Sequence, residues 1–403
     1  MKQGWEIKTL GDVSEIMNGG TPDTTVPKFW DGQNLWITPK DMGKMEGIYV
    51  DDTLRKITDD GLKNSSAKIL PPNSIILSSR APIGHLAINT KPISTNQGCK
   101  GLVPKKGVDT LYLYYFLSKS VDLLNSLGTG ATFKELSGSK LGTVEIPLPP
   151  LPEQQRIVAI LDETFAAIAK AKANAEQNLI NANELFECYL QGVFENKGEN
   201  WEEKTLKEVC TKITDGTHQT PKYFDDGVIF LSSKNVTSGK IDWDNIKYID
   251  EKQHLEMHKR VAPKVGDILL AKNGTTGVAA MVDRDLVFDI YVSLAHIRVL
   301  DFVTPEFMLY FINSPVAKKQ FNKRLKGMGV PNLHLEEIRE VVISFPKSIK
   351  EQNQIVQKLD EFSVETKKLK AIYQQKINGL EELKKSVLKK AFSGELKTNA
   401  AAI

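Results

Sequence analysis

The sequence predicts an α+β protein built as an internal pseudo-two-fold repeat. Two similar globular segments are each followed by a long helix, and the two helices pair as an antiparallel coiled coil. Three observations carry this. First, a proline-braked strand end that turns into a helix occurs twice. It reads Pro147-Leu-Pro-Pro-Leu-Pro-Glu-Gln-Gln-Arg-Ile-Val158 and then Phe345-Pro-Lys-Ser-Ile-Lys-Glu-Gln-Asn-Gln-Ile-Val356, with Glu153-Gln154 and Glu351-Gln352 displaced by 198 positions. Second, Trp5-Glu-Ile-Lys-Thr-Leu10 returns as Trp201-Glu-Glu-Lys-Thr-Leu206. Third, both helical stretches carry apolar residues at alternating steps of four and three, a coiled-coil seam.

Composition sets the limits. A chain of 403 residues is too long for one ordinary core. With 41% hydrophobic and 26% charged residues it has a soluble globular composition. No apolar run approaches the ~18–20 residues that span a bilayer, and Met1-Lys-Gln-Gly-Trp5 lacks the apolar core of a secretory signal. Cys99, Cys188 and Cys210 share no metal-like spacing, so they are expected as reduced thiols in a cytoplasmic protein without membrane contact. Charge is uneven. Residues 152–200 hold 4 basic against 8 acidic residues, and residues 347–403 hold 12 against 7. The globular segments are near balance, with 17 against 15 in residues 1–150 and 20 against 20 in 201–346. Bulk basicity therefore does not announce a nucleic-acid binder.

In order along the chain, residues 1–150 read as short strands between turns. Leu35-Trp-Ile-Thr38, Ser74-Ile-Ile-Leu-Ser78 and Pro82-Ile-Gly-His-Leu-Ala-Ile88 are the strand candidates, and Thr143-Val-Glu-Ile-Pro147 closes the segment. Leu111–Leu117 is assigned to a short helix. Residues 151–197 form a spacer helix, since proline in a first turn costs no hydrogen bond. Its seam runs through Ile157, Leu161, Ile168 and Phe186, with polar exceptions at Thr164 and Asn178. At ~1.5 Å per residue it is roughly 60 Å long and cannot bury its own stripe. Residues 198–346 replay the first segment. Ile229-Phe-Leu-Ser-Ser-Lys-Asn-Val236 echoes Leu35–Met42, and Gly266-Asp-Ile-Leu-Leu270 echoes Asn73–Leu77. Gly327-Met-Gly329 echoes Gly128-Thr-Gly130. Residues 347–403 repeat the helix, with Ile355, Leu359, Phe362, Leu369, Leu380 and Leu383 on the seam and Thr366 and Lys376 as exceptions. The acidic and basic helices suit an intramolecular pair, with a globular segment at each end of the rod.

No catalytic arrangement stands out. There is no phosphate-cradling Gly-x-x-x-x-Gly-Lys-Ser/Thr and no Gly-x-Gly-x-x-Gly after a strand. His254 and His258 have the i, i+4 spacing of metal ligands, but flanking Lys252, Lys259 and Arg260 favour a solvated helix face. Gly274-Thr-Thr-Gly277 reads as a hairpin turn and Asp215-Gly-Thr-His218 as the start of a polar loop. No metal site is expected and the chain reads as non-catalytic.

What remains is an inventory for contacting phosphates and base edges. In the first copy it comprises Lys40, Arg80, Asn96, Gln97, Lys100, Thr132 and Lys134. In the second it comprises Lys234, Asn235, Lys272, Asn273, His296, Arg298, Asn332 and His334. Singly, each residue is an ordinary surface polar group. As sets on a shared framework they suggest two readers of short half-sites on double-stranded DNA, held at a fixed distance.

At this point the chain resembles the specificity subunits of type I restriction–modification systems. The resemblance rests on Trp5-Glu-Ile-Lys-Thr-Leu-Gly11, Ile146-Pro-Leu-Pro-Pro-Leu-Pro-Glu-Gln-Gln-Arg-Ile-Val158, Gly266-Asp-Ile-Leu-Leu270 and Ala391-Phe-Ser-Gly-Glu-Leu396. It implies two target-recognition domains, one per half of a bipartite asymmetric DNA site. It further implies helices that set the gap and dock two methyltransferase (M) subunits. No cofactor is expected on this chain; S-adenosylmethionine would lie on the M subunits, and ATP and Mg on restriction (R) subunits. An assembly with methyltransferase but no R subunit is the alternative. Lys347-Ser-Ile-Lys350 departs from the proline run, so a less rigid second helix start is expected.

Overall fold

A computed structural model of the chain describes residues 4–80, 82–130, 134–325 and 332–396. The fold divides into two units, residues 1–175 with 375–403, and residues 176–374.

In the first unit the strands are β1 (Glu6–Thr9), β2 (Ser14–Asn18), β3 (Trp30–Ile37), β4 (Tyr49–Val50), β5 (Arg55–Ile57), β6 (Ile75–Ser79), β7 (Ile83–Asn89), β8 (Ile93–Thr95), β9 (Cys99–Pro104) and β10 (Glu145–Leu148). They form a five-stranded sheet in the order β2-β9-β6-β7-β4, a three-stranded sheet β5-β3-β8 and the pair β1-β10. The strands of the second unit are β11 (Trp201–Thr205), β12 (Cys210–Asp215), β13 (Val228–Leu231), β14 (Lys247–Ile249), β15 (Ile268–Ala271), β16 (Ala279–Met281), β17 (Phe288–Ile290), β18 (Leu294–Val299) and β19 (Val342–Pro346). Their sheets are β12-β18-β15-β16, β14-β13-β17 and β11-β19. Apart from the two-residue β4, the second set is the first set replayed. Even the parallel pairing of β3 with β8 returns as β13 with β17.

The strands and helix expected from the sequence are present. Leu111–Leu117 lies in the helix Thr110–Lys119, which Asp109 caps by accepting from the Tyr112 amide. Gly274–Gly277 joins the antiparallel strands β15 and β16. Gly327-Met-Gly329 and Thr132 lie outside the described residues.

The repeated helix start has a defined job. Gln154 is 1% exposed; its Oε1 accepts from the Asp109 amide at 2.9 Å, and its Nε2 donates to the Gly107 and Pro149 carbonyls at 3.0 and 2.8 Å. Gln352, fully buried, does the same with the Thr304 amide at 2.8 Å and the Phe302 and Pro346 carbonyls, both at 2.9 Å. Each glutamine thus satisfies three backbone groups that burial would otherwise strand. About two turns further along each long helix, Tyr115 donates to Asp162 and Tyr310 to Asp360. The Lys347–Lys350 stretch is therefore no weaker a joint in its bonding. The clamp resides in the glutamine, not in the prolines.

The long helices span Leu151–Glu195 and Ile349–Ser393. Within the first unit Lys172 pairs with Glu381 at 2.5 Å and the Lys384 ammonium lies over the Phe165 ring, so the helices run antiparallel. Within the second, Phe186 stacks on Phe362 and Tyr189 packs tilted against the same ring. Seam residues Ile157, Leu161, Ile168 and Leu359 are buried, and Phe186, Ile355, Phe362, Leu369 and Leu380 are half-buried. Leu383 departs from the expectation and is exposed. Near it the helix turns a different face inward: Leu388, Ala391 and Phe392 join the core built on Leu10, Tyr112 and Phe116. Leu190 and Phe194 enter the second core in the same way, beside Phe307 and Phe311. The Phe392 ring sits 5.0 Å from Tyr112 and 5.5 Å from Phe116, and the Phe194 ring 5.3 and 5.4 Å from Phe307 and Phe311.

Candidate nucleic-acid interface

In each unit one end of the main sheet meets the end of the three-stranded sheet, and polar residues gather there. A glycine makes the approach possible. A Cβ on Gly19 would lie 2.0 Å from the Asn96 carbonyl, and one on Gly216 would lie 1.9 Å from the Ile290 carbonyl. The loops after β2 and β12 therefore nest against the loops after β8 and β17.

In the first unit Asn96 bonds Thr21 at 2.7 Å and accepts from the Gly98 amide at 2.8 Å, while Thr21 donates to Gln97. Arg80 pairs with Glu135. Lys100, 5% exposed on β9, faces an open cavity of about 740 Å³ that is also lined by Asn18, Thr129, Glu135 and Ser139. Burial lowers its ammonium pKa, Glu135 opposes that, and Arg80 adds to it. Gly98 brings Pro39 and Arg80 together, since its Cβ would meet both, so exposed Lys40 adjoins this cluster. Lys134 is exposed beside Gly128. The residues chosen from sequence converge here, Thr132 excepted because it lies outside the described residues.

The second unit fills the same place differently. Asp215 occupies the β12 position that Asn18 holds on β2, each opposite the second residue of its partner strand, Ala295 of β18 and Lys100 of β9. Lys272 bonds Asp215 at 2.8 Å, Arg260 at 2.5 Å, and His218 at 3.2 Å. Burial pushes the Asp215 carboxyl up, but the Lys272 and Arg260 hydrogen bonds outweigh it and the net shift is downward. Asp215 is thus a buried anchor for three cationic or polar side chains rather than the plain loop start its sequence suggested. Lys272 is buried in this network. Exposed Lys234 rims a cleft of about 290 Å³ lined by Tyr223, Asn245, Lys247 and Tyr291, with the Lys247 ammonium 3.9 Å over the Tyr223 ring.

Other candidates have structural partners. Asn235 is buried, accepting from the Ser232 amide and donating to the Asp242 and Asn245 carbonyls. His296 is 0% exposed, its ring 2.7 Å from Asp267, so it offers no surface. Arg298 grips the same carboxylate with two bonds of 2.7 Å. Burial raises the Asp267 carboxyl, yet Arg298 and His296 hold it down at about 2. This triad sits at the opposite end of β15 from Lys272. Asn273 and Asn332 form a bridge, and each has a buried Oδ1 with no hydrogen-bond partner among the described residues. His334 is exposed ahead of the helix Leu335–Arg339. Sequence reasoning missed Asp215, His218, Arg260, Tyr223 and Lys247. The alignment of Asp215 with Asn18 on the repeated strand was the signal available. His254 and His258 do not form a solvated face: both rings turn onto buried Asp289.

Comparison with known proteins agrees with this architecture. The model of the type I restriction modification DNA specificity domain matches residues 2–178 and again 198–382. The MjaIX specificity subunit of Methanocaldococcus jannaschii is 31% identical, with 98% of this chain and 94% of that protein covered. The EcoKI specificity subunit of Escherichia coli K12 is 24% identical, over 98% and 90% of the respective chains. Among solved structures, the HsdS subunit from Thermoanaerobacter tengcongensis superposes with a TM-score of 0.63 at 18% identity, covering 98% of both chains. A chain from a study of type I R-M complex assembly and conformational transition superposes with a TM-score of 0.79 at 20% identity, covering 98% and 99%. Among the described residues no helix is long and apolar enough to cross a membrane.

Proposed function

The chain belongs to the type I restriction–modification DNA specificity family, as a specificity subunit with two target-recognition domains, and we propose that each domain reads one half of a bipartite, asymmetric site on double-stranded DNA. The observation that carries this reading is the duplicated frame with unlike polar ends. Strand order, glycine approach and glutamine clamp repeat. The polar groups at that end do not: Asn18, Arg80 and Lys100 stand in one copy, and Arg260 and His218 held by buried Asp215 and Lys272 in the other. A frame held constant while its polar end varies suits two readers with different sequences to recognise.

The two long helices then set the distance between half-sites and dock two methyltransferase subunits. S-adenosylmethionine belongs to those subunits, and ATP with Mg to the restriction subunits, so this chain supplies specificity and no bond chemistry. An assembly with methyltransferase but without a restriction subunit uses the same surfaces. A gel-shift series with the methyltransferase partner at several salt concentrations tests the reading. It predicts a specific complex that survives salt at which non-specific binding is lost. Binding with no sequence preference at any salt contradicts it.

A further inference from the structure

His254 and His258 lie one turn apart, on and just after the helix Glu251–Met257, which packs on β17. Nδ1 of His254 is 2.7 Å from Asp289 Oδ2, and Nδ1 of His258 is 3.0 Å from Oδ1. The three donor atoms lie within 4.8 Å of one another. Asp289 is 1% exposed, and among the described residues no lysine or arginine bonds it. A buried carboxylate is costly without a compensating charge, and among the described residues its ion-pair contacts come from the two imidazoles alone.

We propose that His254, His258 and Asp289 form a binding site for one divalent transition-metal ion of the zinc class. Two imidazole nitrogens and one carboxylate oxygen are a donor set for such an ion. A metal on Nδ1 displaces the proton that Nδ1 shares with Asp289; in a neutral ring that proton reappears on Nε2 through exchange with solvent, leaving the Nε2–H tautomer. Ligand bonds of about 2.0–2.2 Å set donor atoms roughly 3.3 Å apart, so the two nitrogens move back from the carboxylate by a few tenths of an ångström. The His258 side chain is 31% exposed, which leaves room for water as a fourth ligand. The ion would pin this helix to the three-stranded sheet, two residues ahead of Arg260 and its bond to Asp215. Among the described residues the first domain has no counterpart: Ser94 takes the strand position of Asp289, bonding the Leu35 carbonyl.

The test uses the untagged full chain, stripped with a chelator and titrated with Zn²⁺ against a chromophoric competitor, with Co²⁺ absorption as a second probe. The proposal predicts one ion per chain, a Co²⁺ spectrum without thiolate charge transfer, and a melting temperature raised by several degrees at ~100-fold excess over Kd. His258→Gln keeps a donor toward Asp289, so it is expected to fold as the parent does without metal. It should weaken binding on the order of 100-fold and abolish the thermal shift. No binding by the parent, binding unchanged in His258→Gln, or a thiolate spectrum from the cysteines would each overturn it.

Discussion

Gln154 and Gln352 show what two letters of a repeated motif are for. Each holds the loop before a helix N-cap to the start of a long helix through one accepted and two donated bonds. Gln352→Leu leaves a buried amide and two carbonyls unpaired, so a loss of about 2–4 kcal/mol is expected in denaturant unfolding. A change within error would show that water replaces the side chain there. Asp267 gives a pH prediction. Its folded carboxyl sits at about 2 against 3.8 when free, so its contribution is full above the free value and vanishes as pH falls through the folded one. Asp267→Asn should be less stable at neutral pH and lose less stability than the parent on acidification from about pH 4 to about pH 2. Equal losses in parent and variant would contradict the assignment. Residue type alone marked His296, Asn235 and Lys272 as surface groups. Asp267 and Asp215 are brought to His296 and Lys272 from distant sequence by strand pairing, and Asn235 is enclosed by the 242–245 turn that follows it; side-chain chemistry reveals neither.

At the scale of elements the sequence was more legible. Heptad spacing located both long helices, and turn residues located β3, β6, β7 and β10, because these signals are local. The helix ends were not legible in this way. Leu190 and Phe194 stand 198 positions before Leu388 and Phe392, yet both pairs leave the seam and pack into domain cores. That change of face depends on the neighbouring domain, so the heptad pattern places Leu383 on the seam although it is exposed. Phe392→Ala should cost about 3–5 kcal/mol and raise amide exchange in the first unit, while Phe194→Ala does so in the second. Exchange raised equally in both units by either variant would contradict this division. Matched seven-residue insertions near Asn178 and Gln375 should lengthen the tolerated DNA spacer by roughly three base pairs, at ~1.5 Å per residue against 3.4 Å per base pair. Methylome sequencing checks this, and altered half-sites would count against the helices as a ruler.

For the whole molecule, the internal repeat was the part of the sequence that mattered most. Motif copies nearly half a chain apart required two versions of one fold, and β12-β18-β15-β16 does repeat β2-β9-β6-β7. Which bases are read was not legible, since that depends on how Arg80, Lys100, Lys234 and Arg260 meet a groove. The measurement that bears most directly on two independent readers is a domain exchange. Residues Trp201–Phe345 are replaced by the corresponding domain of another family member, and methylation sites are mapped with the same methyltransferase partner. The account predicts that one half-site changes while the other half and the spacer stay as they were. Loss or alteration of both half-sites in a folded, partner-bound chimera would contradict it.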